Sequence, residues 1–449
     1  MEQVDGYATL NRRAVDNMAD SLDLFSKPPI DRSIKSGYDQ EFFPVQQTNQ
    51  TGPYTFQIPG IIAQYILPGL TRLSGKIQVK NGVTDLADTD IVAPINLLPA
   101  CMWNKIEVFI NGVQLSDLNT STQHYKTYIE TLLTYGHDAT STFLQTSWWE
   151  KDTPGKYDAV DKTNLGANSR SALIAKSAIS DFCIPLPSDV MAIGRALPEV
   201  CDLKIVLHRN NDDLLLISPD ANAGKFKITL TDLTLTIRRL IIHHDILAEH
   251  RSLMENDGTI YIPFTRSVIR TNTISKGATN MSWPAIFHGV LPSQVLICMV
   301  EDAAFSGKIN KNPFNFQHFN CSKLDVLFNG YPMSWTPVLT AAKETVAKEL
   351  RSLFDHTGIL HSHQSNTITR KDFLGGCFLR AVDLSADLCL SSHPHEKHKG
   401  SLDLNITFTK GVPDPVTIIV FASFDDLILM NPKKNLVTKE STVISPPMR

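Results

Sequence analysis

Two pairs of histidines stand at the spacing that a metal site on a β-strand would use: His361-Ser-His363 and His393-Pro-His395. Alternate strand residues project to the same side, so either pair could turn two imidazoles toward one ion. Such a site also needs a carboxylate, about four residues after the pair, and a further histidine to complete its ligands. Gln364, Ser365 and Asn366 follow the first pair, whereas Glu396 follows the second at once and would face the other way. The second pair also lies in a Ser/Pro/Lys-rich stretch that reads as a loop. His243-His244-Asp245 closes a strand-like run and reads as an exposed turn. Asp85, Asp88 and Asp90 lack the glycine and terminal glutamate of a calcium loop, so they read as a solvated acidic loop.

Nucleophile and phosphate chemistry fare no better. Cys377 follows Gly375-Gly376 without a basic neighbour in sequence and reads as a buried thiol. Gly-Lys dipeptides begin at 75, 155, 224 and 307, but Ile, Tyr, Phe and Ile follow them, so none completes a phosphate-cradling loop. There is no GxSxG, HExxH or GxGxxG. The sequence therefore nominates no catalytic, cofactor-binding or metal-binding residue, and no cofactor.

The scaffold is more informative. The 449 residues are 42% hydrophobic and 20% charged, an ordinary globular composition that excludes collagenous, coiled-coil and disordered chains. Two or three domains fit this length. No apolar run nears the ~18 residues of a membrane span. The start of the chain lacks the basic and apolar regions of a secretory signal. Its seven scattered cysteines, with no CxxC pair, then point to free thiols in a reducing compartment. A formal charge of −4 argues against a dedicated nucleic-acid-binding domain. Lys433, Lys434, Lys439 and Arg449, set against Glu440, form a weak basic cluster that reads as a solvated tail.

After Thr51, short alternating runs signal strands. Ile106, Val108 and Ile110 share one face, and Leu402 to Phe408 alternates throughout. Phe226, Ile228 and Leu230 are followed by Leu233, Leu235 and Ile237 after a phase slip at Thr231-Asp232, the sequence form of a β-bulge. Two helices interrupt the strands. One carries Tyr125, Tyr128, Ile129, Leu132 and Leu133 and stops at Gly136; the other carries Val346, Leu350, Leu353 and Phe354 and stops at Gly358.

The chain also repeats itself. Lys105-Ile-Glu-Val-Phe-Ile-Asn-Gly112 matches Lys323-Leu-Asp-Val-Leu-Phe-Asn-Gly330, and each Asn-Gly suits a tight hairpin. A helix follows each turn. Farther on, Asp202-Leu-Lys-Ile205 matches Asp403-Leu-Asn-Ile406, at a shift of 201 where the first match has 218. The first copy should thus hold 17 more residues between these landmarks, assigned to a loop at His137–Ser171. Two β-rich copies, each with one helix, predict an all-β chain of two tandem eight-stranded jelly-roll sandwiches. The expected divisions are an N-terminal arm at 1–50, a first jelly roll at 51–247, a linker at 248–257, a second jelly roll at 258–431 and a C-terminal tail at 432–449.

Several segments, in order, resemble the double jelly-roll major capsid (hexon) proteins of small eukaryotic DNA viruses, the adintovirus, Polinton and adomavirus group. They are Ser21–Pro29, Pro94–Leu98, Tyr125–Gly136, Trp149–Asp158, Lys311–Phe319, and Gly375-Gly376 running to Leu384. The resemblance implies a non-enzymatic subunit of an icosahedral capsid that forms homotrimeric pseudo-hexagonal capsomers. It implies as partners the neighbouring trimers and the penton or vertex and minor capsid proteins. It also implies a virion location, with assembly inside the host cell, in the nucleus. Neither a membrane span nor sequence-specific nucleic-acid binding is expected.

Two other classes remain open at this point. A carbohydrate- or peptide-binding β-sandwich would group aromatic residues on loops, and Trp148-Trp149 is the only such pair. A divergent bicupin would hold metal at its histidines. For the sandwiches themselves, Ile106, Val108, Ile110, Leu324, Val326 and Phe328 should be buried at equivalent places.

Overall fold

The computed structural model describes residues 30–45, 52–116, 121–219, 224–332, 346–359, 365–385, 388, 397–433 and 436–440. The strands of the first half are β1 (Ile34–Phe42), β2 (Tyr54–Ile58), β3 (Gln64–Asn81), β4 (Ala93–Pro94), β5 (Trp103–Ile110), β6 (Val113–Gln114), β7 (Ser180–Pro185), β8 (Leu203–Arg209), β9 (Leu216–Ile217) and β10 (Phe226–Ile242). The second half holds β11 (Ile260–Ile274), β12 (Asn280–Val290), β13 (Gln294–Glu301), β14 (Cys321–Phe328), β15 (Tyr331–Pro332), β16 (Leu379–Asp383), β17 (Lys399–Phe408), β18 (Val416–Asn431) and β19 (Leu436–Glu440).

Each half is a sandwich of two antiparallel sheets. The first pairs its strands as β1-β10-β3-β7 and β2-β8-β5-β6, the second as β11-β18-β13-β16 and β12-β17-β14-β15. With the small β4–β9 pair set aside, the two halves have the same connectivity. The first strand of each lies beside the eighth, the second beside the seventh, and the fourth and fifth form a hairpin. Apolar side chains alternate inward along the strands, as in β17, where Leu402, Leu404, Ile406 and Phe408 are buried. One continuous apolar core runs through both sandwiches.

The repeated octapeptide is β5 in one half and β14 in the other. Its Asn-Gly turns have positive φ at both residues, 49° and 81° at Asn111-Gly112 and 49° and 83° at Asn329-Gly330. That is the backbone of a two-residue hairpin whose twist matches its strands. Each asparagine carboxamide also accepts a backbone N–H from the neighbouring strand segment, Asp202 at 2.8 Å and Ser401 at 2.9 Å. The bulge also lies where the phase slips, between Thr231 and Thr234, with Asp232 at φ 53°.

The register corrects one alignment. Val108 lies opposite Ile205 and Val326 opposite Leu404, so β8 and β17 correspond at a shift of 199, not 201. The match of Asp202 with Asp403 is two residues out. A two-residue slip keeps every side chain on its own face, which is why the sequence pattern tolerated it. The extra length of the first copy lies between β6 and β7, where His137–Ser171 falls. That stretch is not a bare loop, since it contains helices His137–Ser141 and Leu165–Leu173.

Segments expected outside the sandwiches contribute to them. Residues 34–42 of the arm form β1, paired along its length with β10; residues 1–29 and 46–50 lie outside the described residues. The linker is the end of a helix, His244–Glu255, with Leu247 and Met254 buried. From the tail, Leu436–Glu440 pairs with β18 as β19. The helix count also exceeds one per copy, with further short helices such as Leu98–Cys101 and Arg370–Leu374. The two expected long ones are Gln123–Thr134 and Ala347–Asp355. Of the six expected core residues, five are buried. Phe328 is only half-buried, because at the end of β14 its ring packs beside His398, 6.0 Å away, near the rim.

Candidate functional site

The residues with the most elaborate chemistry gather where the two sandwiches meet. The longer connection of the first copy crosses onto the second and grips it. Gly155 N–H donates to Gly375 O at 2.6 Å, and the Lys151 ammonium pairs with Asp372 at 2.6 Å. Asp372 is held in place as part of the capping box that starts helix Arg370–Leu374 with Thr369. Tyr157 lies over Gly376, whose φ is 135°. A Cβ there would come within 2.4 Å of the tyrosine ring, so only glycine admits the crossing.

Behind this strap sits a buried polar core. The Arg170 side chain is fully buried; it donates to Asp152 at 2.7 Å, to Pro94 O at 2.9 Å and to Glu150 O. Asp152 also accepts from Asn164 of the same half and from Asn312 of the other, at 3.0 and 3.4 Å. Asp158 accepts the Asn312 N–H at 2.7 Å and the Asn315 carboxamide at 3.2 Å. A buried charge needs this kind of full pairing to be tolerated. Beside it, Tyr128 stacks on Phe314 at 4.0 Å and Tyr125 on Phe305 at 5.6 Å, so helix Gln123–Thr134 seats its aromatic face in the second half.

A second contact latches onto the outer edge of β11. Asp189 accepts the Ser267 N–H at 2.8 Å and pairs with Lys126 at 3.0 Å, while Lys126 also reaches Glu130 at 2.7 Å. Burial pulls the Lys126 ammonium toward neutrality, but the two carboxylates outweigh it and hold its pKa above the usual lysine value. Arg195 donates to Tyr261 O on the same edge. A cleft of about 600 Å³ opens beside the latch, between helix Gln123–Thr134 and the β11-β18-β13 sheet.

No protein-family model matches the chain. Among curated proteins, an uncharacterized protein of Caenorhabditis elegans, F54H12.2, is 23% identical over 266 residues, 58% of this chain. The match spans 60% of that relative's own length. Among solved structures, a chain of the Sputnik virophage superposes at a TM-score of 0.64 with 11% identity, over 96% of this chain and 94% of that one. The Faustovirus major capsid protein gives 0.54 at 8% identity, over 94% of each chain. The mavirus major capsid protein gives 0.52 at 13% identity, over 95% of each. The chain has the double jelly-roll fold.

Within the double jelly roll, the residues singled out for chemistry are dispersed. His361, His363, His393 and His395 lie outside the described residues. His243 and His244 are exposed, beside Asp245 at the start of helix His244–Glu255. Each aspartate of the acidic loop faces its own lysine: Asp85 faces Lys80, Asp88 faces Lys176 and Asp90 faces Lys225, at 3.6, 3.6 and 3.3 Å. Among the described residues, no group of three or more His, Cys, Asp or Glu could hold a metal ion. Burial pushes the Cys377 thiol up to about 12, and its sulfur lies against the Tyr157 hydroxyl. The four Gly-Lys dipeptides fall in β3, in the strap and in two turns.

Trp148 and Trp149 are both buried, one donating its indole N–H to Asp181 O at 2.9 Å, the other stacked on Tyr128. They are therefore not a platform for sugar or peptide. Among the described residues no helix is long and apolar enough to cross a membrane. Sequence reasoning missed Arg170, Asp152 and Lys126, but the segments Trp149–Asp158 and Lys311–Phe319, picked out by resemblance, face each other across this junction.

Proposed function

We propose that the chain is the structural, non-enzymatic subunit of an icosahedral virus capsid. In this reading three copies associate as a pseudo-hexagonal capsomer, six jelly rolls in a ring, and these capsomers tile the shell. The observation that carries it is the pair of jelly rolls of identical connectivity fused by a shared core, a design found over nearly the full length of the mavirus and Faustovirus major capsid proteins. Two similar but unequal units in one chain let a three-fold object occupy a six-fold lattice position. The burial of Trp148 and Trp149 weighs against the sugar-binding alternative. Partners are further copies, with penton or vertex and minor capsid proteins at special positions, and the location is the virion, after assembly in the host nucleus. The division into arm, two jelly rolls, linker and tail is retained with β1 moved into the first jelly roll and β19 into the second.

The test is solution mass by light scattering with negative-stain images of the same peak. A particle near three times 49.9 kDa with a hexagonal outline is expected. A monomer of about 50 kDa under all assembly conditions would overturn the capsomer.

A further inference from the structure

β11 is an edge strand whose outer side is held at two points and open between them. Ser267 donates its N–H to Asp189, away from β18, so Ser267 and Ser423 face each other without ladder bonds between them. Every second residue of β11 is then turned the same way. Tyr261 fits this, since its C=O accepts from Arg195. Pro263 and Thr265 lie between the two anchors. The Thr265 N–H and C=O and the Pro263 C=O therefore also point away from β18, and none of them has a hydrogen-bond partner among the described residues. Both residues are exposed and line the cleft of about 600 Å³ beside the latch.

The rest of the cleft wall is largely apolar, with Ile129, Leu133, Leu186, Ile193, Leu296 and Phe421. Only three charged side chains reach it, Lys126, Glu130 and Asp189. Two carboxylates against one ammonium leave a negative charge over. Glu130 is the most exposed of the three, with 38% of its side chain open against 19% for Asp189 and 9% for Lys126. The Ser267 hydroxyl lies 3.2 Å from Glu130 and 3.3 Å from Asp189, and its single proton can serve only one of them.

We propose that this cleft takes an extended peptide segment of another protein, one in which a lysine or arginine stands among apolar residues. The open edge sets its conformation, because a strand laid along Thr265 exchanges both backbone bonds with it. Successive side chains of such a strand go to opposite sides, so apolar ones meet the wall and the basic one meets Glu130. A volume of this size holds a few residues, not a domain. The unbonded backbone groups favour a partner that carries a backbone over a simple amphiphile, and the surplus carboxylate favours a basic partner over an acidic one. The cleft is built within a single chain, so the inference goes beyond the capsomer reading and does not depend on it.

The probe is a fluorescent synthetic hexapeptide of alternating valine and threonine with one central lysine. Its controls carry glutamate in place of the lysine, or N-methyl groups on every second amide, in both phases. Binding to the full chain is read by fluorescence anisotropy, and hydrogen exchange is followed at Thr265. Glu130→Gln and Thr265→Pro are the variants, with circular dichroism and melting to report folding; proline suits an edge position whose N–H faces outward. The lysine peptide is expected to bind and to slow exchange at Thr265, while the glutamate peptide and one of the two N-methylated peptides fail. Glu130→Gln should weaken binding about tenfold or more, the loss of a hydrogen bond between charged groups, and Thr265→Pro should weaken it in a folded protein. No binding of the lysine peptide to folded wild type at millimolar concentration overturns the proposal. Equal binding of both N-methylated peptides, or butylamine competing as well as the peptide itself, makes the cleft a site for small amines and overturns it too. Slow exchange at Thr265 before any peptide is added shows the cleft filled by this chain or a second copy, with the same consequence. The peptide readings need no variant and apply to monomer and capsomer alike, so failure here and failure of the capsomer are distinguishable.

Discussion

The Tyr157 hydroxyl lies 2.9 Å from the Cys377 sulfur, across the boundary between two halves whose sequences are 220 residues apart at this point. Both residues are buried, and burial raises the pKa of each, so the contact is between neutral groups. It is sealed by Gly376, and the closeness of ring to backbone there makes the junction sensitive to a single methyl.

Gly376→Ala tests that closeness. The added Cβ overlaps the Tyr157 ring and meets a positive φ as well. Overpacking of this kind costs about 1–3 kcal/mol. Urea unfolding should show a lower midpoint, and pairing the change with Tyr157→Leu should recover part of the loss by removing the clashing ring edge.

Asp152→Ala removes the carboxylate from a fully buried guanidinium. Breaking a buried ion pair from one side costs about 3–5 kcal/mol, more than a surface pair would. The variant should be markedly destabilised or insoluble. Lys276→Ala, which breaks an exposed pair with Asp414, should melt within about a degree or two of wild type.

Charges placed on the paired strands should be as damaging. Val108→Asp and Val326→Asp each put an unpaired carboxylate into packed apolar surroundings. Both should abolish soluble capsomer. A soluble, correctly assembled Asp variant at either position would contradict the burial of that strand.

Acid should destabilise the fold in part through His124. Burial drives its pKa from 6.5 down to about 3, and neither ring nitrogen has a protein partner. Above pH 6.5 both folded and unfolded chains carry it neutral, and its contribution is intact. Below that the unfolded chain takes up a proton that the folded chain refuses, so stability falls progressively down to about pH 3. The loss is at most about 1.4 kcal/mol per pH unit for one such group. His318 and His356 are shifted in the same direction. Urea midpoints at pH 7.5 and 5 should differ less for His124→Leu than for wild type; equal differences would remove His124 from the acid response.

The repeat and the sandwiches were readable because they are written in local patterns. Asn111-Gly112 and Asn329-Gly330 announce hairpins by backbone demand, and Asp232 marks its bulge by breaking an alternation. β1 was not readable, because none of its nine residues is fully buried and its part-buried positions, Gly37, Gln40 and Phe42, do not alternate. Helix Leu165–Leu173 buries Gly166, Ala167 and Arg170, small and charged residues that leave no apolar stripe. The helix behind the expected linker buries only Leu247 and Met254, too sparse a pattern to separate from a polar connection. The junction was invisible for a different reason. Asp152, Asn312 and Gly376 acquire meaning only once distant segments meet, and no spacing within either segment records the other.

The pairing of Ile34 with Ile242 also imposes an order in time. Translation at about 5–20 residues per second separates the emergence of these two strands by tens of seconds. Throughout that interval Ile34–Phe42 has no partner in its own sheet, and neighbouring nascent chains on one polysome expose the same segment. Synthesis in a crowded cell therefore favours slow initiation, or a holdase that shields this segment until β10 leaves the ribosome.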